Sequence, residues 1–291
     1  MFLAMGAGLI AGMGYLGFAV LFTIVMCTMF VLYNHLDFGA KKNADAYKTF
    51  AVTIPEDLEY SGISVGWVWG YGFNISQNNR IEYNHIHHVG RKKLSDMGAI
   101  YMLGRQPGTV IRHNLIHDVE SAHYGGWGIY LDEGSSEMTV ENNVVYNVTC
   151  NCFYLHFGQH NTVRNNIFYE ADCSPVRYGD AELTVGAILT NNILCTKGHP
   201  MVERDYGNNE SHENLLFDYA RPDAPVLYHP EKGEPIALAE YQSKMQMEKN
   251  SLVADPGFAD PEARDFALSK DSPAFRMGFR PFSLRGVGAR R

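Results

Sequence analysis

The sequence predicts an all-β fold, a right-handed parallel β-helix preceded by an N-terminal transmembrane helix. A short pattern centred on an asparagine recurs six times between residues 81 and 217, at intervals of 22 to 30 residues. A second family of β-rich segments lies between these repeats, and the first 36 residues contain no Lys, Arg, Asp or Glu. We therefore divide the chain into a hydrophobic segment (1–36), a linker with a short strand (37–61), the β-helix (62–220) and a C-terminal cap (221–291).

The hydrophobic segment 1–36 is long enough to cross a bilayer once. It lacks the positively charged start and the small-residue cleavage site of a secretory signal peptide. Its glycine-rich first half is typical of a tightly packed or interfacial stretch, and the denser half from Tyr15 to Tyr33 is typical of a spanning helix. We expect residues 1–36 to contact the membrane; a buried helix of a soluble core is the alternative.

The asparagine repeats predict the solenoid. A period of 20–50 residues indicates stacked repeats, and each unit is too short for a helix pair and rich in β-type residues. Asparagine tolerates the left-handed conformation of a corner, and its amide can bond to the equivalent asparagine of the next coil. We interpret the aligned residues as an internal, structural ladder: Asn84, Asn114, Asn143, Asn166, Asn192 and Asn214.

The residue three positions after each ladder asparagine defines a second column. We interpret it as a structural wall with no metal-binding role, made of His87, His117, Tyr146, Tyr169, Cys195 and Phe217. After Tyr219 the repeat fades into a helical pattern (237–248) and a short strand-rich tail (251–282). Because a solenoid must cover its open end, we expect this region to cap the C-terminal coil.

Three segments between the asparagine repeats align with one another: AIYML (99–103), GIYLDE (128–133) and FYLHF (153–157). Side chains alternate along a strand, so Ile100, Ile129 and Phe153 point inward. Tyr101, Tyr130 and Tyr154 then form an outward column, with Leu103, Asp132 and His156 beside it. We expect this exposed tyrosine column to be the floor of a sugar-binding groove.

Asp132 and Asp96 are the candidate catalytic residues. A lone Asp-Glu-Gly is usually a solvated strand end, but Asp132 aligns with His156 and follows Tyr130. Asp96 precedes the strand one coil earlier, which places the two carboxyl groups within about 5–10 Å if neighbouring coils stack at the usual spacing. Glycoside hydrolysis needs such a pair, one carboxyl protonated and one ionised.

We expect further residues around this pair to bind the sugar: His88, Tyr101, His123, Trp127, Tyr130, Glu133 and His156. The run HIHH (85–88) does not predict a metal site, because strand alternation puts His85 and His87 on one face and His88 on the other. We predict no metal and no cofactor.

Composition narrows the class of ligand. The formal charge is −8, and the sequence contains no basic stripe of the kind that binds phosphate backbones. Nucleic acid is therefore excluded as a partner. Aromatic residues make up 12% of the chain, which suits stacking on sugar rings. The five cysteines have no zinc-site spacing, and we interpret them as scattered buried or free thiols.

Several strings resemble glycoside hydrolase family 141: GISVGWVWGYG (62–72), NRIEYNHIHHVG (79–90), LSDMGAIYMLGRQPGTVIRHNLIHDV (94–119) and GGWGIYLDEGSSEMTVENNVVYN (125–147). The resemblance continues to the end of the chain through ADPGFADP and DSPAF. It implies a β-helix enzyme with α-L-fucosidase or xylanase activity on plant cell-wall glycans. It also implies a catalytic pair of aspartates, which by position correspond to Asp96 and Asp132.

The N-terminal part resembles a different family. Residues 4–27 and KTFAVTIPEDLEYSG (48–62) are similar to a bacterial membrane-protein family of unknown function. Lys41, Lys42 and Lys48 would leave the following domain in the cytoplasm, whereas glycan hydrolases work outside it. We expect a membrane-anchored protein with an extracellular or periplasmic β-helix. The conflict between the two halves indicates a gene fusion or an assembly artefact joined near residues 58–63.

The sequence thus predicts a glycosidase with a polysaccharide or oligosaccharide substrate. A non-catalytic glycan-binding β-helix, or an inactive truncated fragment, is the alternative. A polysaccharide lyase is a third reading; such enzymes on this fold usually need Ca²⁺ and a basic residue, for which Arg105 is a lone candidate.

Overall fold

The computed structural model describes residues 58–180, 182–203, 208–224, 226–229 and 233–288. The predicted transmembrane segment 1–36 and most of the linker 37–61 lie outside the described residues. Within the described ranges, no helix combines the length and the apolar character needed to cross a bilayer.

Three parallel sheets form the body of the molecule, and each coil contributes one strand to each sheet. Sheet 1 contains β1 (Ile63–Val65), β4 (Gly98–Met102), β7 (Trp127–Leu131), β10 (Asn151–Leu155), β13 (Ser174–Tyr178) and β16 (Val202–Glu203). Sheet 2 contains β2 (Arg80–Glu82), β5 (Val110–Arg112), β8 (Thr139–Glu141), β11 (Asn161–Arg164), β14 (Ala187–Thr190) and β17 (Glu210–His212). Sheet 3 contains β3 (His85–Val89), β6 (Leu115–Val119), β9 (Val144–Val148), β12 (Ile167–Ala171), β15 (Ile193–Thr196), β18 (Leu215–Asp218) and β21 (Leu252–Val253). The fold is therefore the predicted parallel solenoid.

The strand registers match the alignment read from the sequence. Ile100 pairs with Ile129, and Ile129 pairs with Phe153, so these inward side chains stack from coil to coil. On sheet 3, Ile86 pairs with Ile116, and all these side chains are fully buried. The stacked apolar columns form one continuous core, which is the main source of stability in a solenoid.

The asparagine ladder lies at the corner between sheets 2 and 3. The first five ladder amides each donate to the side-chain oxygen of the next ladder asparagine, with Nδ2–Oδ1 distances between 2.8 and 3.1 Å. The same oxygen accepts the backbone N–H of the preceding ladder residue. At the last coil, the Asn214 backbone donates to Ser251 Oγ at 2.9 Å. The predicted structural role of these asparagines is confirmed.

The left-handed residue of each corner is not the ladder asparagine, as the sequence suggested, but the residue before it. The six residues with positive φ are Tyr83, His113, Asn142, Asn165, Asn191 and Glu213. The ladder asparagines themselves are free of this backbone strain and use their side chains entirely for the buried hydrogen bonds.

Sheet 3 departs from simple strand alternation near the end of its first four strands. One residue in each has a positive φ, namely His88, Asp118, Asn147 and Glu170. The left-handed backbone at His88 turns its side chain to the same outer face as His87, and the two Nδ1 atoms lie 2.6 Å apart. The prediction that His85 and His87 lie on the opposite face from His88 is therefore wrong.

The C-terminal region has two roles. The antiparallel pair β19 (Leu227–Tyr228) and β20 (Pro235–Ile236) and helix α1 (Leu238–Met245) close the end of the core, into which Tyr241 packs. The hairpin β22 (Phe258–Asp260) and β23 (Asp265–Leu268) and a 3₁₀-helix (Pro273–Met277) lie on the outer face of sheet 3 instead. The backbone N–H of Gly288 even donates to Tyr83 O of the first coils at 3.0 Å. The tail therefore covers a side of the solenoid as well as its end.

Candidate functional site

The three outward tyrosines of sheet 1 stack as a column. Ring centroids of Tyr101 and Tyr130 are 5.0 Å apart with planes inclined by 14°, and those of Tyr130 and Tyr154 are 5.0 Å apart with planes inclined by 12°. The prediction that this column is exposed is wrong. The Trp127 ring centroid lies 4.3 Å from that of Tyr130, and the three tyrosines are only 3–6% accessible to solvent. These rings form a buried layer, and the Tyr101 and Tyr130 hydroxyl groups donate to the carboxylate of Asp132.

A cavity of about 520 Å³ opens over this layer. Its lining combines aromatic rings, carboxylates, one imidazole, one thiol and one guanidinium: Tyr60, Trp67, Trp69, Asp96, Tyr101, Tyr124, Gly125, Trp127, Tyr130, Asp132, Glu133, Cys150, Tyr154, His156 and Arg177. Ligand sites are typically apolar concave surfaces with a few convergent polar groups. The composition of this cavity suits a molecule with apolar ring faces and polar hydroxyl edges.

Asp132 is buried at the base of the cavity and surrounded by donors. Its Oδ2 accepts the Tyr101 hydroxyl at 2.6 Å, and its Oδ1 accepts the Tyr130 hydroxyl at 2.8 Å. His156 Nδ1 lies 2.8 Å from the same Oδ1. Burial alone would raise the pKa of Asp132, but hydrogen bonds from His156, Tyr101 and Tyr130 outweigh it and lower that pKa. Asp132 is therefore the ionised carboxylate of the site.

Asp96 is half-buried at the rim, in a loop immediately before β4. Its backbone has φ of 57°, and its carbonyl oxygen accepts the Tyr60 hydroxyl at 2.9 Å. Gly125 packs directly against it, because a Cβ there would lie 2.8 Å from the Asp96 nitrogen. These contacts hold a strained backbone that directs the carboxyl group into the cavity.

The two carboxyl groups meet through one hydroxyl. Tyr130 Oη is 2.8 Å from Asp132 Oδ1 and 3.4 Å from Asp96 Oδ1. Burial raises the pKa of Asp96, and the neighbouring charge of Asp132 raises it further. The environments thus shift the two pKa values in opposite directions, which is the signature of an acid–base pair.

His156 completes this network. Its hydrogen bond to Asp132 raises the pKa of the imidazole, and burial opposes that shift. The other ring nitrogen, Nε2, lies 3.8 Å from the exposed carboxylate of Asp180. The imidazole therefore carries a positive charge more readily than a free histidine does and keeps Asp132 ionised.

The structure brings together most residues that the sequence predicted for the site. The two aspartates line the cavity, and so do Tyr101, Trp127, Tyr130, Glu133 and His156.

Two predicted binding residues lie elsewhere. His88 is on the outer face of sheet 3, with its Nε2 3.6 Å from Asp118. His123 is exposed on the loop after β6, and its backbone N–H donates to Ser95 Oγ. Its chain neighbour Tyr124 is the one that reaches the cavity. Arg105, the candidate lyase base, pairs with Glu137 at 2.7 Å and does not line the cavity.

Sequence reasoning did not select several residues of the cavity: Tyr60, Trp67, Trp69, Tyr124, Cys150 and Arg177. The tryptophans carry a readable signal, because GWVWGYGF (66–73) places an aromatic side chain at every second position. Arg177 carried no such signal; it lies over the Tyr154 ring at 5.0 Å and pairs with Glu203 at 3.3 Å.

Within the described part of the chain, no cluster of His, Cys, Asp or Glu side chains has the arrangement of a metal site. The four cysteines described there are free thiols: Cys150, Cys152, Cys173 and Cys195.

Comparison with known proteins agrees with the β-helix fold. A family model described as "Right handed beta helix region" matches residues 58–194. The chain is a right-handed parallel β-helix protein. It is similar to the uncharacterized protein YwoF of Bacillus subtilis (strain 168), with 24% identity over 191 residues, which cover 52% of this chain and 41% of that protein. The chain thus spans about two fifths of the length of this relative. No solved structure matches the chain.

Proposed function

We propose that this protein is a glycoside hydrolase acting on plant cell-wall type glycans, with α-L-fucosidase-like or xylanase-like specificity. One observation carries the proposal. Asp96 and Asp132 face a single cavity, share the Tyr130 hydroxyl, and have pKa values shifted in opposite directions. Hydrolysis of a glycosidic bond requires one protonated and one ionised carboxyl group, and opposite pKa shifts favour that division.

The directions of the two pKa shifts support one assignment of roles. Asp96, whose pKa is raised, is the acid that protonates the leaving glycosidic oxygen. Asp132 is the ionised partner, whose negative charge faces the positive charge that develops on the sugar ring. Tyr101 and His156 hold that charge in place through their hydrogen bonds. Trp67, Trp69 and Tyr124 offer exposed ring faces at the mouth of the cavity for stacking on the sugar.

The test is the substitution Asp96→Asn, assayed on aryl α-L-fucosides and on xylan. An amide cannot donate the acid proton, so we expect turnover to fall by about 100-fold or more. Asp172→Asn is the matched control, because burial also raises the pKa of Asp172 but this side chain lies outside the cavity. Activity that survives in an Asp96→Asn, Asp132→Asn double variant would exclude the proposal.

A non-catalytic glycan-binding β-helix is the second candidate, and one observation favours it. Asp132 accepts hydrogen bonds from Tyr101, Tyr130, His156 and the Glu133 backbone, which fills the roughly four acceptor positions of a carboxylate. A carboxylate so fully occupied is suited to orienting other groups. Glycan binding measured alongside the hydrolysis assays separates the two functions: binding without turnover supports the module.

A further inference from the structure

A strap of aromatic residues runs beside the cavity. It is the loop from residue 66 to 73 between β1 and β2, and it exposes Trp67, Trp69, Tyr71 and Phe73 by 50%, 53%, 42% and 84%. The described residues contain eight exposed large hydrophobic side chains, and four of them fall within this short segment. Such a concentration of exposed apolar side chains indicates a binding surface, because apolar groups are more stable when they are removed from water.

The strap lies across successive coils. At its start, the Leu103 backbone N–H donates to Val65 O at 3.1 Å. The Gly70 N–H donates one coil further on, to Glu133 O at 3.2 Å. The Tyr71 ring lies 6.1 Å from Phe157 of the following coil, and its hydroxyl bonds to Glu182 beyond that. The aromatic side chains are therefore distributed along the solenoid axis.

Close backbone packing keeps the strap in place. Gly134 has φ of 78°, and a Cβ at this position would lie 2.0 Å from Gly70 O. Only glycine permits this approach, which seats the middle of the strap against the strand end that carries Asp132. The strap is thus held against the solenoid by backbone packing and forms one side of the cavity.

The charges around the strap define the chemistry of a ligand. The Tyr71 hydroxyl bonds to the Glu182 carboxylate, and Asp96 and Glu133 line the adjoining cavity. The guanidinium that lines the cavity, that of Arg177, is already paired with Glu203. This environment disfavours acidic sugars and suits a neutral chain whose ring faces stack on the aromatic side chains.

We propose that the strap binds a neutral glycan chain of several sugar units along the solenoid axis, with one end of the chain in the cavity. The inference rests on the proposed function and adds its substrate class: an oligosaccharide or polysaccharide, and not a single terminal sugar. Trp67 and Trp69 link the two regions because they line the cavity and belong to the strap.

The experiment is calorimetric titration of the full chain carrying Asp96→Asn, with xylobiose, xylotetraose, xylohexaose and hexagalacturonate. We expect affinity to rise with the length of the neutral chain and to be weaker for the acidic hexamer. Tyr71→Ala and Phe73→Ala should each lower the affinity for xylohexaose by about threefold or more, as expected for loss of one stacked ring. Phe275→Ala, an exposed aromatic away from the strap, is the matched control.

A second variant tests the placement of the strap with all its aromatic residues intact. Gly134→Ala should displace the Gly70 segment and lower the xylohexaose affinity, with circular dichroism confirming the fold. Affinity independent of chain length, or strap variants indistinguishable from Phe275→Ala, would overturn the inference. Length-dependent binding by a wild-type protein without turnover would leave it standing while excluding the glycosidase.

Discussion

Two outer faces of the solenoid carry similar aromatic columns, but only one of the two columns is covered by another segment of the chain. On sheet 1, Tyr101, Tyr130 and Tyr154 stack at 5.0 Å. On sheet 3, His117 and Tyr146 stack at 4.7 Å with planes inclined by 4°. Both faces even pair an aspartate with a histidine at similar distances: Asp132 with His156, and Asp118 with His117. Residue types alone therefore do not distinguish them.

The two faces differ in whether another segment of the chain covers the aromatic column. The C-terminal tail packs on the sheet 3 column, where Phe266 lies 5.6 Å from Tyr146 and 5.2 Å from Tyr169. The Arg264 guanidinium lies over the Tyr146 ring at 5.0 Å. On sheet 1, a cavity remains above the tyrosine layer. Stacked aromatic columns therefore arise on either face because the coils repeat. The face that stays uncovered and carries convergent carboxylates is the candidate site.

The strongest test of the comparison substitutes the aspartate of each Asp–His pair. Asp132→Asn should reduce hydrolysis by about 100-fold or more, because it removes the negative charge opposite the reacting sugar. Asp118→Asn should leave hydrolysis unchanged. Equal losses in both variants would show that the cavity does not distinguish the two faces. The amide that replaces the Asp132 carboxylate would also face hydroxyl donors, so we expect some loss of stability in addition, read from the melting temperature.

The second test removes one ring from each face and measures stability by urea denaturation. Phe266→Ala should lower the free energy of unfolding by about 2 kcal/mol, because Phe266 packs between the covered column and the tail. Trp69→Ala removes a half-exposed ring and should cost less than about 1 kcal/mol. A larger cost at Trp69 would mean that the strap is part of the core.

The third test measures stability as a function of pH, because the pKa of His156 on sheet 1 is raised and the pKa of His85 on sheet 3 is lowered. The hydrogen bond to Asp132 raises the pKa of His156, so its stabilisation is fully present below about pH 6.5 and is lost as the pH rises through the folded pKa. Burial and the neighbouring His87 and His117 lower the pKa of His85 to about 4, so stability falls as the pH drops from about 6.5 towards 4.

Each histidine should therefore control one limb of the stability profile. His156→Gln should flatten the decline above pH 6.5, and His85→Gln should flatten the decline below it, each by about 1 kcal/mol since both rings are half-exposed and screened. Denaturant midpoints between pH 4 and pH 9 measure both limbs. If His156→Gln left the decline above pH 6.5 unchanged, the assigned hydrogen bond to Asp132 would be wrong.

The smallest expected effect concerns one hydroxyl on each face. Tyr101→Phe removes a donor from Asp132, so the pKa of Asp132 should rise and the acid limb of the activity profile should move to higher pH. We expect a change in maximal rate of about threefold. Tyr146→Phe on the covered column should leave the profile in place. An unshifted profile for Tyr101→Phe would show that ionisation of Asp132 does not limit the rate.

Much of the architecture was readable from the sequence because the repeat has a direct physical cause. A ladder asparagine such as Asn143 must meet its equivalents in the coils above and below, so its recurrence gave the alignment of the strands from coil to coil. The same register placed Asp96 and Asp132 on neighbouring coils of one face. Local pattern determined these features because each depends on short-range spacing within a coil.

Other features were decided only by tertiary structure, because they depend on contacts between distant segments or on backbone conformation within a strand. The left-handed backbone at His88 reversed the face of that side chain, which alternation alone could not show. The return of the C-terminal tail covered one column, and the 66–73 loop left the other beside an open cavity. The sequence by itself determined which side chains stack; the packing of remote segments decided which stack lies beneath an open cavity.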